Sequence, residues 1–225
     1  MQIILTGGGD SKYFKSIDRK FKKLMPALSN IMLIPVATNR RNHSYCLKRI
    51  KETFDQLKFN KISVCSELDK LKYDTLELHH ALYIDGGNTF KLIQSIRNSN
   101  FKKLVTKFIA KNGIINADSA GAIVLGKNIS TALIGKIADK NSVQINKYQG
   151  MNMLHNYSIH CHFDPKEEMQ ELLKFSKLKG ATLALTEKTA IYLNGRKGEV
   201  IGLGHLYIFK NGKLKVIKPK ERFNL

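Results

Sequence analysis

At 225 residues the chain has room for one domain that buries roughly three quarters of its unfolded surface, so a rigid site needs no disulfide framework. Hydrophobic residues make up 43% and charged residues 25%, in short interrupted apolar runs that exclude a disordered or fibrous chain and a bilayer-spanning helix. The formal charge of +20 comes from lysines scattered along the chain, among them Lys15, Lys20, Lys22, Lys23, Lys210, Lys213, Lys215 and Lys218, with no aromatics interleaved on one strand face. That distribution reads as a solvated basic surface; no nucleic-acid partner is expected, and a salt-sensitive attraction for anionic groups stays open.

Along the chain, Met1, Gln2 and the run Ile3 to Leu5 meet Thr6 and three glycines. This lacks the basic start and apolar core of a secretion signal and predicts a first strand from Gln2 to Thr6. Further strands are expected at Ile31 to Pro35, Lys61 to Cys65, Ala81 to Ile84 and Gly113 to Asn116. Between them lie amphipathic segments, one of which, Asn42 to Phe59, carries Leu47, Ile50, Phe54 and Leu57 at spacings of three and four. After Ser119 come a short helix, a polar stretch from Lys127 to Gly150, a strand from Tyr157 to His162 and a helix from Pro165 to Lys179. From Leu183 to Leu193 and from Val200 to Ile217 residues alternate, and Asn194-Gly195 and Asn211-Gly212 mark two-residue hairpins that need positive φ. The expectation is an α/β three-layer sandwich with a mostly parallel central sheet, helices on both faces and antiparallel C-terminal strands, in a single domain over residues 1–225. Cys46, Cys65 and Cys161, odd in number and widely spaced, are expected to be buried, reduced and inert in a cytoplasmic compartment.

Chemistry concentrates in four segments. In GIINADSAGAIVLG, residues 113–126, an apolar strand runs through Asp118, Ser119, Ala120 and Gly121 straight into a helical run. A tight strand-to-helix turn lifts the serine out of the sheet edge, small neighbours avoid collision, and the helix N-terminus favours developing negative charge. The plainer reading is a buried Ser-Ala-Gly at a helix start. In YIDGGNTF, residues 83–90, a strand ends in two glycines before a helix that begins near Asn88 or Thr89. The amides of Gly86 and Gly87, with that of Ala120, are candidate oxyanion donors, and Gly86, Asn88 and Asp118 are candidate substrate-binding residues. GGGD at residues 7–10 does not match a dinucleotide fingerprint and reads as a tight turn. SIHCHFDP, residues 158–165, offers His160 and His162 on one strand face; one is expected to serve Ser119 as base, and His160 is also a candidate substrate contact. Glu187 in the TEKTAI stretch is the best placed acid to orient that base. The alternative is a metal-dependent hydrolase in which His160, His162 and Asp164 are ligands, but no H-E-x-x-H or paired-cysteine pattern accompanies them. No metal and no cofactor are expected.

Together the early GGG turn, YIDGGNTF, ADSAGAIVLG, IHCHFDP and LTEKTAIYL, in this order and over nearly the whole chain, resemble the serine peptidase family of dipeptidase E and cyanophycinase. The resemblance implies a sandwich similar to class I glutamine amidotransferase domains, with Ser119 as nucleophile, His162 as base, Glu187 as third member, and the amides of Gly87 and Ala120 as the oxyanion hole. It implies a small peptide substrate, aspartyl dipeptides or the aspartate-arginine polymer cyanophycin, cleaved without metal. Asp118 departs from the family, whose members usually carry Trp or Thr before the nucleophile; a carboxylate there is expected to repel an acidic substrate group or raise the pKa of the base. A non-catalytic peptide-binding relative remains the other reading, and a homodimer is open.

Overall fold

The computed structural model describes all residues except 10–12, 14, 39–42, 55 and 56. In chain order the elements are β1 (Gln2–Thr6), α1 (Lys15–Leu24), β2 (Asn30–Ile34), α2 (His43–Thr53), β3 (Lys61–Val64), α3 (Tyr73–Leu76) and β4 (Ala81–Ile84). There follow α4 (Thr89–Arg97), α5 (Phe101–Ala110), β5 (Ile114–Asp118), α6 (Ala120–Leu125), a 3-10 turn at Ile129–Leu133, β6 (Ser158–His160) and α7 (Met169–Leu178). The end of the chain is strand only: β7 (Thr182–Leu185), β8 (Ala190–Asn194), β9 (Lys197–Val200), β10 (Leu206–Lys210), β11 (Lys213–Ile217) and β12 (Arg222–Asn224). The expected helix from Asn42 to Phe59 appears as the shorter α2; Asn42 and residues 55 and 56 lie outside the described residues.

Eight strands form the main sheet in the order β12-β9-β8-β1-β5-β4-β2-β3. From β1 to β3 every neighbour is parallel, whereas β8, β9 and β12 extend the sheet antiparallel. Parallel strands need crossovers, and their even, buried hydrophobic character follows from being covered on both faces. Ile4, Ile31, Leu33 and Ala81 pack with Ile17 and Phe21 of α1 and Ile50 of α2 on one face. Ile3, Leu5, Leu82, Ile84 and Ile115 pack with Phe90, Ile93, Val105 and Ile123 of α4 to α6 on the other.

The C-terminal strands divide where one continuous sheet was expected. β7, β10 and β11 leave the main sheet and, with β6, build a second sheet of order β11-β10-β7-β6. Its Leu183, Leu185 and Leu206 join the central core, while Ala184 and Phe209 face Leu172 and Phe175 of α7. Both hairpins form. Asn211 and Gly212 take φ of 52° and 70° as a two-residue turn, but Asn194 stays in the ladder opposite Lys197, so the first turn is one residue later, at Gly195 and Arg196.

Two local details position the site. α6 starts directly over β4, and an added Cβ on Gly121 would lie 2.3 Å from the Ile84 carbonyl oxygen. Gly121→Ala is therefore expected to cost about 1 to 3 kcal/mol, lowering the thermal midpoint by about 3 to 10 °C in a chain of this size, as calorimetry would show. The strand expected from Tyr157 to His162 stops at His160, because the His162 N–H leaves the ladder to donate to the Gly7 carbonyl at 2.9 Å. Among the described residues no helix is long and apolar enough to cross a membrane.

Candidate active site

In the order β1-β5-β4 the three parallel strands deliver their C-terminal ends to one edge, where ligands bind in open α/β sheets. The turn after β5 is Ser119 itself, with φ 47° and ψ −112°, a backbone shape that L-residues adopt only under constraint. It is held there from both sides. The Ser119 N–H donates to the Thr6 carbonyl at 3.2 Å, and its own carbonyl receives the Ile123 N–H at 3.0 Å as the first turn of α6. The strained turn turns Oγ outward at the helix start, and His162 Nε2 lies 2.9 Å from it.

His162 also has a left-handed backbone, φ 56°, and its Nδ1 lies 2.9 Å from Glu187 Oε1. Glu187 sits in the turn between β7 and β8, where the chain crosses from the second sheet to the main one. Ser119, His162 and Glu187 thus form one continuous line of hydrogen bonds. The imidazole is one-fifth exposed and the carboxylate about half exposed, at 22% and 48%.

The glycines of residues 7–9, which the sequence marks only as a tight turn, are the floor of this line. An added Cβ on Gly8 would come 2.1 Å from His162 Cε1, and one on Gly9 would come 2.8 Å from Glu187 Cβ. Their φ values of 87° and 99° also suit glycine alone. Only a backbone without side chains leaves room for the imidazole. Asp10, the last residue of that motif, lies outside the described residues.

The second glycine turn lies on the other side of Ser119. An added Cβ on Gly86 would be 3.3 Å from Ser119 Cβ, so the two turns touch. The Gly86 N–H, however, is spent on Asp85 Oδ1 at 2.9 Å, which removes it from the candidate oxyanion donors. Gly87, at φ 137°, and Ala120, the first residue of α6, have no loop or side-chain acceptor for their amides among the described residues. Asn88 caps α4 by accepting the Lys91 N–H at 3.0 Å and donates to the Lys140 carbonyl at 2.9 Å. The stretch 134–150 therefore folds across the start of α4, with Asp139 accepting the Thr89 N–H at 2.8 Å.

Two expectations are corrected. Asp118 does not face a substrate: it is 7% exposed, its Oδ1 accepts from Thr6 Oγ1, and its Oδ2 accepts from Arg49 Nη2 at 2.6 Å. Strand alternation explains this, since Asn116 and Asp118 point to the face covered by α1 and α2, away from Ala117. His160 is likewise not beside Ser119. It is 2% exposed, with Nε2 2.8 Å from Glu168 Oε2 and Nδ1 3.1 Å from the Thr131 carbonyl, because the strand ends before alternation can bring it level with His162. The shared face needed for a His160, His162 and Asp164 metal set does not form, and among the described residues no three His, Cys, Asp or Glu side chains gather as a metal site.

Cys161 lies under the nucleophile, its Sγ 3.6 Å from the carbonyls of Thr6 and Ser119, and burial pushes its thiol well up, which keeps it unreactive. Cys65 is only half buried, against expectation, though burial also raises its thiol. Arg49 is the site-region residue that no motif announced. Burial works against its charge, but the fields of Tyr83, Asp118 and Asp85 outweigh this and raise its pKa.

The fold is shared with a crystal structure of a peptidase from an acI-B1 actinobacterium: TM-score 0.77 at 16% identity, over 100% of this chain and 96% of that one. In sequence, the uncharacterized peptidase Lmo0363 of Listeria monocytogenes is 28% identical over 120 residues, 52% of this chain and 57% of that protein. The uncharacterized peptidase Lin0382 of Listeria innocua is 24% identical over 126 residues, 55% and 60% respectively. The chain thus spans about three fifths of the length of these curated relatives. Residues 3–201 match Peptidase family S51, and on that match, together with the fold, the chain belongs to this family of serine peptidases.

Proposed function

We propose that the protein hydrolyses small peptides by acyl transfer to water through Ser119, His162 and Glu187. The observation that carries this reading is the pair of 2.9 Å contacts, Ser119 Oγ to His162 Nε2 and His162 Nδ1 to Glu187 Oε1. His162 takes the hydroxyl proton as Oγ attacks the peptide carbonyl carbon, and returns it to the leaving amine nitrogen as the C–N bond breaks. The amides of Gly87 and Ala120 hold the oxyanion, a donor of this kind being worth about 3 to 4 kcal/mol to the transition state. Water then attacks the acyl-enzyme, with His162 again as base. Glu187 accepts the Nδ1–H, so that Nε2 presents its lone pair to the serine.

Aspartyl dipeptides are the substrate class we favour. A cleft of about 700 Å³ opens beside Gly86 and Gly87, lined by Lys91 and Lys140 as well as by Asp139 and the Arg49–Asp85 pair. With Asp118 turned away and paired, the expected repulsion of an acidic substrate group has no source there. Cys46, Cys65 and Cys161, none of them in a disulfide among the described residues, fit a reducing, cytoplasmic compartment. The test is labelling by a fluorophosphonate probe, expected as an adduct on the peptide containing Ser119, beside turnover of a dipeptide library with aspartyl and other first residues. Protein that binds peptides but takes up no probe and turns over none of them would return the reading to a non-catalytic binding relative.

A further inference from the structure

Beyond Ala117 the main chain loses its link between the nucleophile and the oxyanion turn. The β4–β5 ladder ends at the Ile84 and Ala117 pair. From there the two chains bond to different neighbours: the Asp85 N–H donates to Ile34 on β2 at 3.0 Å, and the Ser119 N–H to Thr6 on β1 at 3.2 Å. The hydrogen-bonded connection across that gap runs through side chains. Arg49 Nη2, reaching over from α2, donates both to Asp85 Oδ1 and to Asp118 Oδ2. Asp118 in turn accepts Thr6 Oγ1, and Asp85 accepts the Gly86 N–H.

Each of these residues immediately precedes a working turn. Asp85 leads into Gly86 and Gly87, Asp118 into Ser119, and Thr6 into the glycines under His162. One guanidinium nitrogen therefore ties together the ends of β4, β5 and, through Asp118, β1. Both carboxylates are nearly sealed, their side chains 6% and 10% exposed, so in Arg49's absence two like charges would face each other with little water between them. Burial first, and then the field of Asp118, push the Asp85 carboxyl above its usual range, while Arg49 pulls it back.

We propose that Arg49, acting through Asp85 and Asp118, is a positioning residue that keeps the oxyanion turn in register with the nucleophile. The inference rests on the role given above to Ser119 and Gly87. It assigns a use to the carboxylate at position 118, where an uncharged residue was expected. Because the bridge acts on the distance between Gly87 and Ser119, its loss changes transition-state stabilisation more than ground-state binding.

The test compares wild type with Arg49→Met, Asp118→Asn and the double variant on one dipeptide that the wild type cleaves. It reads kcat, KM, the rate of fluorophosphonate labelling and the thermal midpoint. Arg49→Met is expected to lower kcat and labelling about 100-fold, the scale of a displaced oxyanion donor, with KM held within about threefold. Asp118→Asn keeps shape and an acceptor for Thr6 and is expected to lose about tenfold, and the double variant to fall no lower than Arg49→Met alone, because the two act as one unit and the amide removes one of the two facing charges. Folded variants with wild-type kcat and labelling would overturn the proposal, leaving Arg49 a stabilising residue only. A rise in KM at unchanged kcat would overturn it too, in favour of direct substrate binding. Should Arg49→Met not fold, the nearly isosteric Asp118→Asn decides by the same readings. Wild type that neither labels nor turns over would instead sink the role of Ser119 itself.

Discussion

Ser119→Ala is expected to lower kcat by a factor on the order of 10⁵ to 10⁶, the loss typical of removing the nucleophile from a serine hydrolase. Steady-state rates on a cleaved dipeptide would check it. The substitution removes only the Oγ that contacts His162 Nε2 at 2.9 Å, so the imidazole keeps its bond to Glu187 and the substrate cleft keeps its walls. Binding and fold are expected to persist. The backbone strain also persists, since alanine at φ 47° and ψ −112° is as constrained as serine. Ser119→Gly separates the two effects: equally inactive, it is expected to gain about 1 to 2 kcal/mol by relieving that strain, visible as a midpoint about 2 to 6 °C above that of the alanine variant. A glycine variant no more stable than alanine would show that the elbow stores no strain.

Glu187→Gln is expected to reduce kcat by about 10² to 10³, somewhat less than the 10⁴ seen when a buried triad carboxylate becomes an amide. The difference comes from water. Glu187 is 48% exposed at the side chain, so solvent already shares the work of stabilising the imidazolium, and the tautomer is less firmly imposed. The glutamine can turn either its carbonyl or its amide toward Nδ1, and only the former leaves Nε2 free to accept the serine proton. KM should stay within about threefold, because nothing in this role touches the substrate ground state. Full activity in Glu187→Gln would remove it from the catalytic line and leave the imidazole held by Ser119 and solvent.

The elements most legible in the sequence were those whose signals are local. β1 and β4 have the expected bounds, and the Asn211-Gly212 turn forms as written, because alternation and turn chemistry are properties of a few neighbouring residues. A strand-turn-helix signal pointed to Ser119 and chain order to Glu187, while the residues alone left the base open between His160 and His162, and only the family resemblance singled out His162. What could not be read were choices made between distant segments. Alternation is the same in β7 and β8, so nothing in it tells which strand joins which sheet. Whether His160 or His162 faces Ser119 depends on the Gly7 carbonyl ending the strand, and where Asp118 points has consequence only once Arg49, 69 residues upstream, is seen opposite it. Residues 7–9 looked like punctuation; only the imidazole above them gives their lack of side chains a purpose.

The spans that close the site are long. Thr6 and Asp118 are 112 residues apart, Ser119 and His162 are 43, and His162 and Glu187 a further 25. Contacts of such separation form late, after shorter loops have closed, and a chain leaving the ribosome folds from its N-terminal side. The serine is thus synthesised 43 residues ahead of the imidazole it is hydrogen-bonded to, while the contacts that shape its turn, Thr6 with Asp118 among them, span the longest separation of all. On the proposed mechanism a nascent chain holds no working nucleophile until the segment that carries Glu187 has folded back onto His162.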